Sequence, residues 1–214
     1  VLLSRIYETI PSLILGHTVS KNAVGFMDRA KTICDLPEKI FLSGFFAVSL
    51  SAFSAQARET GALKAPYLQA FTYITALQWP ALICISILAH PIVAILLGSQ
   101  WEQAVPIVQI MALAFLFSFS FGVNFAVLTA LGAVRAIFLR AFLVWPISAV
   151  ILSVGALFSI KVMVLLLFVV MPFQAYVAIQ MVRLHVVITW GEMALALRKS
   201  LIVTLFSAIG PLAM

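Results

Sequence analysis

The stretch that decides the fold runs from Ala141 to Val182 and reads AFLVWPISAVILSVGALFSIKVMVLLLFVVMPFQAYVAIQMV. Lys161 is the one charged residue in it. An apolar α-helix crosses the hydrocarbon core of a bilayer in about 20 residues, so this stretch is too long for a single crossing and must turn. Lys161, with Gly155 and Ser159 nearby, is the only polar break, and we expect a tight hairpin there.

Uncharged stretches of this kind recur along the whole chain. A crossing needs about 20 residues, so we expect the first and the last stretch to be truncated or to borrow flanking residues. The pattern predicts an all-α fold, a polytopic transmembrane helical bundle with about seven spans. The uncharged stretches are Thr9–Ser20, Ile40–Ala57, Tyr67–Trp101, Gln103–Val134, Ala141–Ile160, Val162–Val182 and Ser200–Met214.

The composition leads to the same fold class. Hydrophobic residues make up 64% of the 214 residues and charged residues 9%, whereas soluble domains carry about 25% charged residues. Lipid must therefore surround most of the chain, and in lipid only helices or closed barrels pair all their backbone groups. Barrel strands alternate apolar and polar residues, so the unbroken apolar runs favour helices.

Local signals divide the chain further. His90-Pro91 should end a main helix near Ala89 and leave a short second piece to Leu97, because proline lacks a donor and disfavours helix at the preceding residue. We predict a transmembrane bundle over residues 1–185, an interfacial amphipathic connection over 186–199, and the start of a further, truncated transmembrane helix over 200–214. Since the chain begins at Val1 and ends inside an apolar run, we expect it to be a piece of a longer protein.

The basic residues predict an orientation. The net charge of +6 comes from cations scattered between apolar runs, unlike the clustered patch of a nucleic-acid-binding protein. When lysines and arginines are counted in alternate gaps between the predicted spans, one side of the membrane carries more of them. That side is predicted to be cytoplasmic. That side holds Arg5, Arg58, Lys64, Arg135, Arg140, Arg183, Arg198 and Lys199, and the other holds Lys21, Arg29, Lys31, Lys39 and Lys161.

The sequence contains no recognisable catalytic motif. His17, His90 and His185 lie in three separate regions, and none has a second ligand at the helical spacing of a zinc site. The two cysteines are far apart, without metal spacing. We therefore predict no catalytic residue, no metal and no cofactor. A membrane-embedded enzyme would have to use Glu8, Asp28, Asp35 or His185.

One charged segment, Ser20–Lys39, reads SKNAVGFMDRAKTICDLPEK and leads into an apolar run. Arg29, with Asp28 and Lys31, sits near the membrane boundary. A cavity lined by arginine and lysine would suit a phosphate or pyrophosphate, because guanidinium pairs bidentately with the oxygens of such groups. Alternatively, this segment is a solvated helix whose charges contact only water and lipid headgroups. Composition leaves both interpretations open.

Two groups of residues resemble bacterial polysaccharide exporters, the lipid-linked oligosaccharide flippases of the multidrug/oligosaccharidyl-lipid/polysaccharide superfamily. The first is LLGSQWEQAVPI at 96–107, where Gly98 is expected to cap a helix and Trp101 to anchor it at the interface. The second comprises Leu15-Gly16, Val24-Gly25-Phe26, Arg29-Ala30 and Leu36-Pro37. The likeness covers about Val1–Ile110 and departs from the family at Ser51–Ser54, where proline is more usual.

The resemblance implies the second half of a MATE-like, two-bundle transporter in the bacterial cytoplasmic (inner) membrane. Such a protein would flip polyprenyl-pyrophosphate-linked oligosaccharides for capsule, exopolysaccharide or O-antigen synthesis by alternating access, without changing a covalent bond. A polysaccharide polymerase is a further possible partner. The implied substrate-binding residues are Arg29, helped by Lys31 and Lys39, with Asp28 or Glu8 as an ion-pair partner that would instead make Arg29 a structural strut.

Three other functions remain open at this point. A multidrug-type exporter of the same superfamily would be expected to show acidic groups in its spans, and the uncharged stretches contain none. An enzyme of cell-envelope lipid or glycan synthesis would need a catalytic acid or histidine near the end of a span. A purely structural membrane subunit would need no site at all.

Overall fold

The computed structural model describes residues 2–59 and 61–212. Within these residues the chain forms helices and no strand, so the all-α prediction is confirmed. A π-helical turn precedes α3, and 3₁₀ segments precede α6 and α7. The α-helices are α1 (Leu2–Thr18), α2 (Lys21–Cys34), α3 (Ser43–Glu59), α4 (Lys64–Ile87), α5 (Ala89–Leu96), α6 (Val105–Ala114), α7 (Phe121–Ala130), α8 (Val134–Phe158), α9 (Ile160–Leu165), α10 (Leu167–Arg183) and α11 (Trp190–Leu212).

Four helical stretches of the described chain are long and apolar enough to cross a membrane. They correspond to the four spans predicted between positions 67 and 182. Two of them join shorter helices, since one runs through α6 and α7 and another through α9 and α10. The four stretches are Lys64–Ile87, Ser99–Ala130, Val134–Phe158 and Ile160–Arg183.

The predicted helix break near His90 is present. α4 ends at Ile87, and Leu88 leaves helical geometry with φ −91° and ψ 18°. Pro91 lies in the first turn of α5, where its missing N–H costs no helical hydrogen bond. Gly98, with φ +94°, ends the helical path after α5. Its N–H donates to the carbonyl of Ala94 at 3.1 Å, which is the geometry of a glycine that terminates a helix.

The predicted hairpin lies between α8 and α9. Ser159 is extended, with φ −170° and ψ 162°, and its hydroxyl accepts from the N–H of Val162 at 3.2 Å. Lys161 is exposed in the first turn that follows. The two helices meet so closely that a Cβ built on Gly155 would lie 2.8 Å from the Cα of Met163.

The bundle has two distinct ends. At the end that we call the α2 end, the Thr18 hydroxyl donates to the carbonyl of Ala156 at 2.9 Å, which brings the α1–α2 turn beside the Ser159 hairpin. At the opposite end, the start of α4 packs with the ends of α7 and α10 in one buried cluster that includes Leu63, Leu128 and Val182. Lys64 and Arg183 therefore lie at this end, and Lys21 and Lys161 lie at the α2 end, as the charge count separated them.

α11 is one continuous helix along α4, covering residues 190–199 of the predicted connection and the described part of 200–214. Its first turn is held to the start of α4 by Glu192, whose carboxylate lies 2.6 Å from the Lys64 ammonium. Two turns later the Ser200 and Thr75 hydroxyls are 2.6 Å apart. The helices run in the same direction, so residues just before Ser200 lie beside the middle of α4.

Candidate functional site

The candidate site is built on α2, which begins with a serine cap. Ser20 is extended, and its hydroxyl accepts from the N–H of Ala23 at 3.0 Å, which satisfies one of the free donors of the first turn. Ala23, Ala30 and Ile33 are buried, and their spacing by three and by seven forms one apolar stripe on a helix. This stripe faces the bundle, so the charged residues of α2 lie on its flanks.

Trp101, from the 3₁₀ segment that follows α5, packs on this helix. Its ring meets Phe26 edge to face at a centroid distance of 5.6 Å. Gly25 also faces the indole, since a Cβ built there would lie in van der Waals contact with it at 3.7 Å. The fold thus brings together the two groups of residues that carry the family resemblance.

Arg29 lies over the same ring. Its guanidinium carbon is 5.7 Å from the Trp101 ring centroid, within the range of a cation–π contact, and the residue is exposed. Among the described side chains no carboxylate lies within ion-pair distance of Arg29. From the sequence we expected Asp28 or Glu8 to be its partner. The contact with Trp101 was not predicted, because nothing in the sequence indicates that the segment around Trp101 packs on α2.

The other predicted residues of α2 point elsewhere. Asp28 is exposed, and its backbone carbonyl accepts from the Thr32 hydroxyl at 2.9 Å. Lys31 is half-buried and has an intramolecular partner. Because it follows Arg29 by two residues, helical geometry puts the two side chains about 200° apart around α2. Arg29 and Lys31 therefore lie on different sides of α2, which their two-residue spacing alone could have indicated.

Lys39 belongs to a separate cavity of about 270 Å³, lined by Asp35, Glu38, Lys39 and Ser43. Its ammonium lies 3.9 Å from the Asp35 carboxylate, which is a long ion pair. The cavity lies at the π-helical turn Glu38–Leu42, a geometry often found at functional positions. Partial burial, followed by the negative charge of Asp35, raises the pKa of the Glu38 carboxyl, while Lys39 acts in the opposite direction.

Glu8 lies in α1, and its side chain is outside the described residues. The described part of the chain holds no group of three or more histidine, cysteine or acidic side chains arranged to bind a metal ion. Cys34 is buried, with its sulfur 3.7 Å from the carbonyl of Val108. The chemistry that the α2 surface offers is an exposed guanidinium on an aromatic platform, which suits the binding of an anionic or sugar-bearing group.

One comparison with known families concerns the first half of the chain. Residues 1–106 match the model of a family described as polysaccharide biosynthesis protein. The match supports that family and covers just under half of the chain, including α2 and Trp101. No curated protein and no solved structure matches the chain.

Proposed function

We propose that the protein exports lipid-linked polysaccharide repeat units across the bacterial inner membrane, for capsule, exopolysaccharide or O-antigen synthesis. It acts as a multi-pass transporter and not as an enzyme. Its substrate is a polyprenyl-pyrophosphate-linked oligosaccharide, which changes leaflet while its covalent structure stays the same. The repeat units reach a polysaccharide polymerase once they are on the outer face.

One observation carries this proposal: the half of the chain that matches polysaccharide biosynthesis proteins belongs to a bundle of apolar helices. A polysaccharide precursor that crosses a membrane has to be carried through such a bundle. The α2 surface supports the anionic nature of the substrate, because Arg29 is exposed and its guanidinium lies over an aromatic ring without a described carboxylate partner.

In this proposal Arg29 contacts the pyrophosphate or an adjacent sugar at the α2 end, which lies on the outer side of the membrane. Lys31 and Lys39 contribute positive potential from other faces of the segment. Trp101 keeps the guanidinium at the surface of α2 and offers its ring edge to a sugar. The arrangement binds an anion more strongly than a neutral lipid, since guanidinium pairs bidentately with phosphate oxygens.

The function is tested in a strain lacking the full-length gene. We expect lipid-linked oligosaccharide to accumulate on the cytoplasmic side and surface polysaccharide to be lost, with both restored by the gene. Normal surface polysaccharide in the deletion strain would contradict the proposal. An enzyme of glycan synthesis is distinguished by incubating the purified protein with lipid-linked oligosaccharide and analysing the lipid, which should remain chemically unchanged.

Arg29 is tested in the same strain. Arg29→Ala should abolish export while protein level and thermal stability stay near wild type, and Arg29→Lys should retain part of the activity. Arg135→Ala removes an exposed arginine at the opposite end of the bundle and should leave export intact. A loss of folded Arg29→Ala protein, matched by the same loss in Asp28→Ala or Glu8→Ala, would make Arg29 a structural strut.

A further inference from the structure

The corner between α10 and α11 joins a cation to two aromatic rings. Arg183 is the last residue of the candidate span Ile160–Arg183, and its guanidinium carbon lies 4.7 Å from the centre of the Trp190 ring. The rings of Trp190 and Tyr176 are nearly parallel, with an interplanar angle of 4° and a centroid distance of 6.0 Å. Both aromatic side chains are exposed. Basic and amphipathic aromatic residues at the end of a span are typical of positions that meet lipid headgroups.

The guanidinium of Arg183 keeps hydrogen-bond donors for a ligand. Its Nε–H donates to the carbonyl of Ile188 at 2.9 Å, and its Nη1 donates to the side-chain oxygen of Gln180 at 3.1 Å. A guanidinium has five N–H donors, so the others have no partner among the described residues. No described carboxylate lies within ion-pair distance of Arg183, and Glu192, in the first turn of α11, is held by Lys64. Arg183 can therefore pair with an external anion.

The same two aromatic residues line an apolar cavity of about 400 Å³. Side chains of α4 and of the 3₁₀ segment before α7 complete its walls. On α11 the lining runs from Trp190 to Thr204, so the cavity follows that helix for about 21 Å. Leu201, which also lines it, is exposed, so the cavity opens on the surface of the described bundle. Arg183 thus lies over the residue that begins this lining on α11.

The loop that joins α10 to α11 presents aliphatic side chains next to Arg183. Leu184 is 82% exposed and Val187 is 84% exposed. Apolar side chains at a membrane surface enter the boundary between headgroups and acyl chains, while neighbouring cations stay with the phosphates. This combination indicates that the corner between α10 and α11 contacts a lipid surface.

We propose that Arg183, Trp190 and the cavity form a binding site for an anionic phospholipid. Arg183 binds the phosphate, the Trp190 indole N–H donates to a headgroup oxygen, and one acyl chain lies in the cavity along α11. The acyl chains of one leaflet fill about half of a hydrocarbon core about 30 Å thick, so the cavity is long enough for one chain. A zwitterionic headgroup binds less well, because Glu192, the carboxylate that its ammonium would need, is already paired with Lys64.

The site is tested by native mass spectrometry of the full purified chain in detergent, with dioleoyl phosphatidylglycerol and dioleoyl phosphatidylcholine as probes. Wild type should bind phosphatidylglycerol at least tenfold more tightly than phosphatidylcholine. Arg183→Gln should remove most of this preference, because it deletes the charge that holds the headgroup. The matched control, Arg135→Gln, removes the same charge from an exposed position at the same end of the bundle and should keep the preference.

A second variant, Leu201→Trp, keeps the charge of Arg183 and fills part of the cavity. It should weaken the binding of both lipids at least fivefold, and it remains informative if Arg183→Gln fails to fold. Its control is Leu195→Trp, which makes the same change at an exposed position of α11, about 120° around the helix from Leu201. This control should bind both lipids as wild type does.

Three results would overturn the site: equal binding of the two lipids by wild type, an unchanged preference in folded Arg183→Gln, or equal losses in the variants and their controls. Tighter binding of undecaprenyl phosphate than of phosphatidylglycerol would also overturn it, because the occupant would then be the transported lipid. All of these measurements report lipid binding, so they stand independently of the export assay.

Discussion

Trp101 has two roles, one at the membrane interface and one in the contact with Arg29. As a tryptophan at the end of a span it suits the membrane interface, and it also carries the guanidinium of Arg29 on its ring. A cation–π contact at an exposed position is worth about 0.5–1 kcal/mol, enough to favour this orientation of Arg29, and it does not use the N–H donors of the guanidinium. The arginine therefore remains available to a phosphate, which a tight carboxylate partner would prevent.

Gly155 is the residue whose loss should most directly disturb the hairpin. A Cβ there would lie 2.7 Å from Cδ1 of Leu166 and 2.8 Å from the Cα of Met163, and backbone cannot move aside as a flexible side chain can. We expect Gly155→Ala to lower the free energy of unfolding by about 1–3 kcal/mol, the usual cost of overpacking. Thermal unfolding in detergent measures this.

Gly44 provides the control, because it is also helical and a Cβ there meets nothing within 4 Å. Gly44→Ala should leave stability unchanged or raise it, since alanine is the better helix former. Equal stability of the Gly155→Ala and wild-type proteins would show that α8 and α9 are further apart than described.

The Glu192 carboxylate predicts a pH dependence. The hydrogen bond from Lys64, and then that from the N–H of Thr189, lower the pKa of Glu192 to about 2. The pKa of a glutamate side chain in the unfolded chain is about 4.3. The ionised form therefore stabilises the fold above about pH 4.3, and this contribution is lost as the pH falls towards 2.

We expect Glu192→Gln to melt slightly below wild type at neutral pH, and the two melting temperatures to converge as the pH approaches 2. The difference should be small, because exposed ion pairs contribute little. Glu102→Gln, at an exposed glutamate, serves as the control. A gap of constant size at all pH values would mean that the Lys64 contact does not form.

At the scale of helices, the span Ser99–Ala130 is interrupted at its middle by the 3₁₀ segment Phe115–Ser120. Two side chains of α4 pair with polar groups of that segment: Gln78 donates to the Ser118 hydroxyl at 2.9 Å, and the Trp79 indole donates to the carbonyl of Leu116 at 2.8 Å. Backbone groups freed inside a membrane must be satisfied by neighbours, so α4 keeps this irregular segment in place.

The contact between α4 and α11 is also polar, and it can be measured. A double-mutant cycle with Thr75→Val and Ser200→Ala should give a coupling energy of about 0.6 kcal/mol, the average for hydrogen bonds between membrane helices. Unfolding from detergent micelles supplies the four free energies. Thr129→Val combined with Ser200→Ala should be additive, because the Thr129 hydroxyl donates within α7, to the carbonyl of Phe125 at 2.7 Å. If the effects of Thr75→Val and Ser200→Ala on the free energy of unfolding were additive, this would contradict the hydrogen bond between the two hydroxyls.

At the scale of the whole molecule, the two ends of the bundle define a topology. Lys161 lies at the α2 end, and Arg135 begins α8 at the opposite end. In a background without Cys34 and Cys84, a membrane-impermeant thiol reagent should label Lys161→Cys from the outer face. Arg135→Cys should be labelled only after the cytoplasmic face is opened. Labelling of Lys161→Cys from the cytoplasm alone would reverse the proposed orientation.

The sequence by itself determined the helical class, the four central candidate spans, the break near His90 and the hairpin near Lys161. These features depend on properties read along the chain, namely the length of an uncharged run, the local effect of proline and a single polar break inside a long apolar stretch. The segment around Arg29 was also identified from sequence, through its charge and its family resemblance.

Only the tertiary structure decided which residues meet. It placed Arg29 on Trp101, and it paired Ser200 with Thr75 so that Arg198 and Lys199 lie beside the middle of α4. Hydropathy reports how long a helix can be, but the depth of a residue in a bundle depends on the neighbour against which its helix packs. That neighbour is distant in sequence, and its contacts are side-chain packing and hydrogen bonds that no count along one chain contains.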